Sequence, residues 1–189
     1  ALIRTAKAAG LTVTAETAPH YFSLTDEAVY GYDTFAKVNP PLRTAADAAA
    51  IKEALSDGTL DAIACDHAPH ARTDKEVEFE YASSGISGLE TSLALSLALV
   101  HEGVLTWQAL IERMSANPAR ILNLSKGTLA PGADADVTVI DPQLKWTVSV
   151  KDVRSRGKNS PFHNRVLLGG AILTIVGGEI KYAAPSLKL

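Results

Sequence analysis

The ten residues from 61 to 70, Asp-Ala-Ile-Ala-Cys-Asp-His-Ala-Pro-His, constrain the fold more than any other part of the chain. The small and apolar run Ala62 to Cys65 is too short for a helix, so it predicts a strand buried on both faces. Such strands occur in parallel sheets and α/β barrels, whose reactive side chains lie at the carboxyl ends of the strands. Asp66 would lie at that end, with His67 and His70 beside it. The alternative is that Asp66 caps a turn and the histidines are polar loop residues.

A second strand precedes this one in the expected way for a parallel sheet. Residues 11–15, Leu-Thr-Val-Thr-Ala, are alternating and β-branched, which predicts a strand. Thr44 with Asp47 three residues later resembles a capping box, and it predicts a helix over residues 45–56. Strand, helix and strand in this order form a βαβ unit.

The segment that follows His70 is rich in charge. Residues 72–80 contain few apolar side chains, which is typical both of a mobile active-site loop or lid and of an ordinary solvated loop, so both interpretations stay open. Three helices are then predicted, over residues 89–101, from Thr106 as N-cap to residue 115, and from Asn117 as N-cap with a proline at the first helical position.

The pattern changes at about residue 124, where turn residues and alternating strands replace the helices. Strands are predicted over 137–141 and 146–150, and two more around Gly169-Gly170 and Gly177-Gly178, the second pair being a hairpin turn. We therefore expect two parts: residues 1–123, with the βαβ unit and the helices that follow it, and residues 124–189, a small β-rich domain.

Composition excludes several classes of function. The 189 residues are 47% hydrophobic and 21% charged, which is enough for a sizeable core. A net charge of −3 and a pI of about 6.0 argue against a general nucleic-acid binder. One cysteine allows no internal disulfide and favours a reducing compartment such as the cytoplasm. No apolar run approaches the roughly 20 residues of a membrane-spanning helix, so no membrane partner is expected.

The start of the chain predicts a helix without a cap. Apolar residues at helical spacing run from Ala1 to Ala9, and Gly10 is a typical residue after a helix end. Because nothing precedes Ala1 to cap this helix, we expect the natural chain to begin earlier.

Four motifs in order resemble those of the bacterial type I dihydroorotases, a group of cyclic amidohydrolases in the amidohydrolase superfamily. They are Glu16-Thr17-Ala18-Pro19-His20, Asn39-Pro40-Pro41-Leu42-Arg43, Asp66-His67-Ala68-Pro69-His70 and Gly85-Ile86-Ser87-Gly88-Leu89-Glu90-Thr91. The runs 127–141, 159–162 and 177–180 are shared more broadly in that superfamily. The resemblance covers nearly the whole chain but only the C-terminal portion of a family member.

The resemblance implies a (β/α)8 barrel of the TIM type with one or two zinc ions and a small β-rich domain. On that template the strand at Leu11 is the seventh and the Asp66 strand the eighth. Asp66 is the only family metal ligand found in this sequence, and a catalytic zinc needs about three protein ligands. We therefore expect these residues alone to be inactive, without stoichiometric zinc, and to need the N-terminal barrel segment as a partner.

The implied reaction is the reversible cyclisation of N-carbamoyl-L-aspartate to dihydroorotate. In this resemblance Asp66 binds the metal and transfers the proton. Asn39 and His70 match substrate-binding positions, and Ser84 and Gly85 match a backbone contact to the substrate. The alternative interpretation of Asn39 is an asparagine that caps a loop, and that of His70 is a surface histidine with no role in binding.

Three further residues are expected to orient the metal ligands: Glu16, His20 and His67. A structural role is favoured for His67, and a role is doubtful for Tyr21, which replaces a usual histidine. Cys65 is expected to be a small buried side chain.

Two other functions compete with the first. An allantoinase or hydantoinase would act on other cyclic amides. A metal-free relative would serve as a structural partner of aspartate transcarbamoylase. Whichever function applies, the protein could also associate with copies of itself, and a homo-oligomer is a further expectation. Asn39 before two prolines and the complete motif 66–70 favour dihydroorotase.

Overall fold

The computed structural model describes residues 1–185 and residue 187. The helices are α1 Leu2–Ala8, α2 Pro19–Ser23, α3 Ala45–Ser56, α4 Arg72–Lys75, α5 Leu89–His101, α6 Trp107–Ile111 and α7 Asn117–Ile121. The strands are β1 Glu16–Thr17, β2 Ala62–Ile63, β3 Val137–Thr147, β4 Val166–Val176 and β5 Glu179–Ala183. Short 3-10 turns occupy Asp26–Val29 and Thr34–Ala36. In the described part of the chain, no helix is long and apolar enough to cross a membrane.

The predicted strand–helix–strand unit is present, but its strands are shorter than expected. β1 and β2 pair in parallel, with Glu16 opposite Ala62 and Thr17 opposite Ile63. The prediction of a strand over 11–15 was wrong, since those residues form no regular element and the paired strand begins at Glu16. A strand exists only where a second strand accepts its hydrogen bonds, and the sequence pattern does not contain that information.

The helices that flank this unit follow from local sequence. The capping box of α3 is confirmed, because the Asp47 N–H donates to Thr44 Oγ1 over 3.3 Å and the Thr44 N–H donates to Asp47 Oδ2 over 3.2 Å. Helix α5 has the predicted bounds.

The prediction that Asn117 is an N-cap was wrong. Residues 107–121 are helical throughout, with a π-helical turn at Glu112–Ala116 before α7. Asn117 Nδ2 instead donates to the Asp61 carbonyl oxygen over 2.8 Å. The side chain thus joins this helix to the start of β2, and the π turn accommodates the proline that follows.

The C-terminal strands form an antiparallel sheet in the order β3-β4-β5. The hairpin at Gly177-Gly178 is confirmed, and both glycines have positive φ. The predicted strands 137–141 and 146–150 belong to one bulged strand that ends at Thr147, so residues 148–150 lie outside it, and Gly169-Gly170 lies inside β4. Gly169 has a φ of 91°, which favours glycine, and a Cβ added there would lie 2.4 Å from Leu97 Cδ1 of α5, so the Leu97 side chain would have to shift. The division into residues 1–123 and 124–189 stays a prediction.

Helix α5 connects two buried clusters. Leu97 and Leu99 belong to the first cluster and Leu95 to the second. The first cluster also contains Phe22, Leu55, Ile63, Leu105 and Leu110. The second also contains Ala36, Val38, Leu42, Ile86, Val148 and Phe162. Packing on both sides of one helix fixes the loops that follow β1 and β2.

Candidate active site

Asp66 follows β2 in an unusual backbone conformation, and its carboxylate is accessible. Its φ is 48°, in the left-handed region that residues other than glycine rarely adopt. Asparagine and aspartate tolerate this region best among the other residues. The side chain is 52% exposed, although Ala62 and Ile63 are buried. A buried strand therefore ends in an accessible carboxylate, as the sequence predicted.

A cavity of about 560 Å³ lies beside this carboxylate. It contains three of the predicted site residues, Glu16, Asn39 and Asp66, which come from β1, from the double-proline loop and from the end of β2. Tyr21 and Arg43 also line it, and the Tyr21 hydroxyl donates to the Pro40 carbonyl oxygen over 2.9 Å. Arg43 belongs to the double-proline motif, but no role was predicted for it from the sequence.

His20 is the buried neighbour of Asp66. Its ring is 1% exposed, and Nε2 lies 3.6 Å from Asp66 Oδ2 without a hydrogen-bond partner among the described residues. Burial lowers the pKa of His20 below its ordinary value, against the opposing effect of the Asp66 charge. Burial, with a further contribution from Asp66, raises the pKa of Tyr21. Asp66 therefore lies close to a neutral imidazole, that of His20, and shares the cavity lining with a neutral phenol, that of Tyr21.

His70, Ser84 and Gly85 form a second group. Nε2 of His70 lies 3.0 Å from the Ser84 carbonyl oxygen. Gly85 is buried, and its N–H donates to the Lys37 carbonyl oxygen over 2.9 Å. A Cβ at Gly85 would lie 2.6 Å from the Ala68 Cβ and 3.0 Å from His70 Nε2, so only glycine permits this contact. His70, Ser84 and Gly85 do not belong to the described residues that line the Asp66 cavity.

His67 connects the Asp66 loop to α5. Its Nδ1 accepts a hydrogen bond from the Leu89 N–H over 3.2 Å, at the start of the helix. His67 also pairs with Ile86 in an isolated parallel bridge. A histidine in this position satisfies one of the free N–H groups of a helix N-terminus. The predicted role for His67 in orienting a ligand stays a prediction. Cys65 is half-buried.

Asn159 holds the loop after β2 in place, and sequence reasoning assigned it no role. It is 2% exposed, and Oδ1 accepts from the His70 N–H over 3.0 Å and from Ser87 Oγ over 2.8 Å. Its Nδ2 donates to the carbonyl oxygens of Ala68 and Gly85, both over 3.0 Å. The asparagine lies 89 residues from His70, so no local pattern could predict this contact.

Replacing Asn159 by alanine should destabilise the full-length protein by about 2–4 kcal/mol, because several buried polar groups would lose their partner. Urea unfolding monitored by circular dichroism measures the change. Gln143→Ala, at an exposed position in β3, is the control and should shift the free energy of unfolding by less than about 0.5 kcal/mol. A cost of Asn159→Ala equal to that of the control would contradict this structural role.

The charged segment after His70 differs from the expected loop. It begins with α4, and Lys75 within it is completely buried. The first part of this segment is therefore a short helix with one buried side chain, and the mobility of the segment stays a prediction. A buried lysine has no apolar signature in a sequence and was missed for that reason.

The described residues include no cluster of three or more histidine, cysteine, aspartate or glutamate side chains that could hold a metal ion. Asp66 could nevertheless supply one metal ligand, because its carboxylate is accessible and lines a cavity. These residues therefore fit one coordination position of a metal site and not a complete site.

The chain belongs to the amidohydrolase family, whose model matches residues 2–181. Curated proteins named dihydroorotase from Syntrophus aciditrophicus (strain SB) and Geobacter metallireducens are each 61% identical over 181 residues. That alignment covers 96% of this chain and 42% or 43% of those proteins. The dihydroorotase of Desulfotalea psychrophila is 63% identical over 182 residues. The chain thus spans less than half the length of these relatives.

Solved structures show the same arrangement of elements. The L-hydantoinase of Arthrobacter aurescens matches with a TM-score of 0.92 and 32% identity, over 100% of this chain and 43% of that chain. A D-hydantoinase from Thermus sp. matches with a TM-score of 0.88 and 26% identity, over 98% and 43% of the two chains. The predicted fold class is confirmed: the chain is an α/β part of a TIM-type amidohydrolase barrel with a small β-rich unit.

Proposed function

We propose that the full-length protein is a zinc-dependent dihydroorotase, which interconverts N-carbamoyl-L-aspartate and dihydroorotate in pyrimidine biosynthesis. The observation that supports this most directly is an accessible carboxylate, Asp66, at a strand end beside a cavity, in a chain 56–63% identical to proteins named dihydroorotase. The partners that we propose are a small-molecule substrate and the rest of the barrel.

Asp66 is the proposed acid and base. When bound, zinc would lower the pKa of a water and polarise the amide of the ring, and Asp66 would supply one of its ligands. In ring opening, Asp66 accepts the proton of the attacking water and returns it to the leaving ring nitrogen. A carboxylate suits this exchange because it is anionic at neutral pH and accessible from the cavity.

The neighbouring residues would bind and orient the substrate. Asn39 lines the Asp66 cavity and has an amide that can donate to a substrate carboxylate. His70 and Ser84 offer further polar groups, whereas the Gly85 N–H and C=O already have partners within the protein. Glu16 and His20 border Asp66 and would orient it. His67 would act through the loop that it joins to α5.

A hydantoinase activity is the second candidate, and the structural similarity to hydantoinases favours it. The sequences separate the two candidates, since identity to the L-hydantoinase is 32% and identity to the dihydroorotases is about twice that value. A third candidate is a metal-free partner of aspartate transcarbamoylase, against which the accessible Asp66 argues. A homo-oligomer and a cytoplasmic location are parts of the same proposal.

A panel of cyclic amides tests the assignment. The full-length protein should open dihydroorotate at least about 100-fold faster, as kcat/KM, than hydantoin, allantoin or dihydrouracil, because a site built to bind the ring carboxylate discriminates strongly against rings that lack it. Elemental analysis of the same sample should find zinc. Preference for hydantoin would favour the second candidate, and absence of both zinc and turnover would favour the third.

A further inference from the structure

Lys75 is the only lysine among the described residues that is completely buried, and every N–H of its ammonium group has an acceptor. Nζ donates to the carbonyl oxygens of Ser83 over 2.7 Å, Gly85 over 3.0 Å and Lys37 over 3.4 Å. Burying an ammonium group is costly unless its donors are satisfied, and three donors meet three acceptors here. The residue therefore holds a specific backbone geometry.

A second lysine holds the other half of the same loop. Lys37 Nζ donates to the carbonyl oxygens of Phe79 over 2.7 Å, Glu80 over 3.0 Å and Ala82 over 2.6 Å. Lys37 is also two residues before Asn39 and accepts the Gly85 N–H through its own carbonyl oxygen. The loop 79–85 thus surrounds two ammonium groups, each of which binds carbonyl oxygens of the backbone.

These contacts lead directly to the proposed substrate-binding residues. Ser84 lies between the two carbonyl groups, of Ser83 and Gly85, that Lys75 binds, and the Ser84 carbonyl oxygen contacts His70 Nε2. Displacement of residues 83–85 would therefore move both Ser84 and the acceptor that orients the His70 ring. Lys75 itself does not reach the Asp66 cavity.

We infer that Lys75 is a positioning residue: it fixes the backbone of residues 83–85 so that Ser84 and His70 are held in one orientation for substrate binding. The inference rests on the proposed function for its kinetic part. Its structural part concerns the loop alone and is tested without substrate.

Lys75→Met in the full-length protein is the test variant. Gly85 O keeps Asn159 Nδ2 as a donor and Lys37 O keeps the Gly85 N–H, so only the Ser83 carbonyl loses the sole donor found in the described residues. The variant should therefore fold. Lys52→Met is the matched control, because Lys52, in α3, makes a partly exposed ion pair with Glu102 and has no hydrogen bond to the loop 79–85 among the described residues.

Hydrogen–deuterium exchange of the substrate-free protein tests the loop. The Gly85 amide, which donates to Lys37, and the Ser83 amide, which donates to Asp74, should exchange at least about tenfold faster in Lys75→Met and at the wild-type rate in Lys52→Met. Unchanged exchange at both amides would overturn the inference, whatever the enzyme proves to act on.

Steady-state kinetics test the consequence for binding. KM of Lys75→Met should rise about tenfold or more with kcat within about threefold of wild type, since only the placement of binding groups changes. The substrate is whichever cyclic amide of the panel the wild-type protein opens. Faster exchange with an unchanged KM would show that the loop is held without a role in binding and would overturn the inference. If the wild-type protein opened none of the cyclic amides, the proposed function would be overturned instead. The hydrogen-exchange result alone would then decide whether Lys75 holds residues 83–85.

The pH dependence of KM separates positioning by the ammonium group from simple packing. The charged groups near Lys75 are Lys37 and Asp33; burial and Lys37 lower its pKa to about 8, against the effect of Asp33. At pH 9 most of the amine is neutral and has two N–H groups for three carbonyls. The ratio of the wild-type KM to the KM of Lys75→Met should therefore rise between pH 7 and pH 9. Groups that titrate in both proteins affect both KM values equally and cancel in this ratio. A ratio that stays constant over this pH range would overturn the positioning role of the charge.

Discussion

Replacing Asp66 by asparagine in the full-length protein should lower turnover of dihydroorotate by about 10³-fold or more, because the amide can neither accept nor return a proton. Asparagine has nearly the same shape and tolerates the left-handed backbone of residue 66, so the protein should fold normally. Initial rates of ring opening and the far-ultraviolet circular dichroism of the same sample measure the two quantities. Asp66→Ala should also remove nearly all turnover, but alanine in this conformation adds a backbone cost of about 1–2 kcal/mol.

The matched control is Asp152→Asn, which removes an exposed carboxylate that does not line the Asp66 cavity. This variant should retain wild-type turnover. An Asp66→Asn enzyme with activity within a few fold of wild type would rule out the proposed acid–base role of Asp66.

Alanine variants of Asn39 and His70 should each raise KM for dihydroorotate about 5- to 150-fold, which corresponds to a lost hydrogen bond of roughly 1–3 kcal/mol. Asn39→Asp should raise KM more than Asn39→Ala, because its negative charge would repel the carboxylate of the substrate. His70→Ala also removes the contact to the Ser84 carbonyl oxygen, so its effect should be the larger of the two alanine variants.

Zinc content separates substrate binding from metal binding in these variants. Both alanine variants should retain the zinc of the wild-type protein, as measured by elemental analysis after gel filtration. Loss of zinc from either one would mean that the residue belongs to the metal site.

The matched control for Asn39→Asp is Asn123→Asp. Asn123 is exposed and lies outside the cavity lining, so this variant should leave KM unchanged.

Packing decided which of the predicted site residues lie together. Glu16, Asn39 and Asp66 share one cavity, whereas His70, Ser84 and Gly85 form a separate hydrogen-bonded group. The motifs along the chain proposed these six as site residues, which stays a prediction, but they did not predict this grouping. The grouping depends on the path of the loops over α5 and on hydrogen bonds from distant residues.

The sequence alone determined the elements whose causes are local. The capping box at Thr44 and Asp47 defined the start of α3, the glycine pair at 177–178 defined a hairpin, and the run 62–66 placed a carboxylate after a buried strand. Each of these depends on residues within a few positions of one another, where side-chain chemistry and backbone preference act directly.

Only the tertiary structure decided the features that depend on distant partners. The strand expected at 11–15 is replaced by pairing at Glu16–Thr17, because β2 pairs with those two residues, whereas Ala15 at the end of the predicted stretch only accepts hydrogen bonds from Asp61 and Ala62 through its carbonyl oxygen. Asn159 reaches His70 across 89 positions, and Lys75 is buried because the carbonyl groups of Lys37, Ser83 and Gly85 converge on it. A polar residue in a sequence carries no sign of burial, since its partners are backbone groups that any residue could supply, and only the folded chain brings them within hydrogen-bond distance.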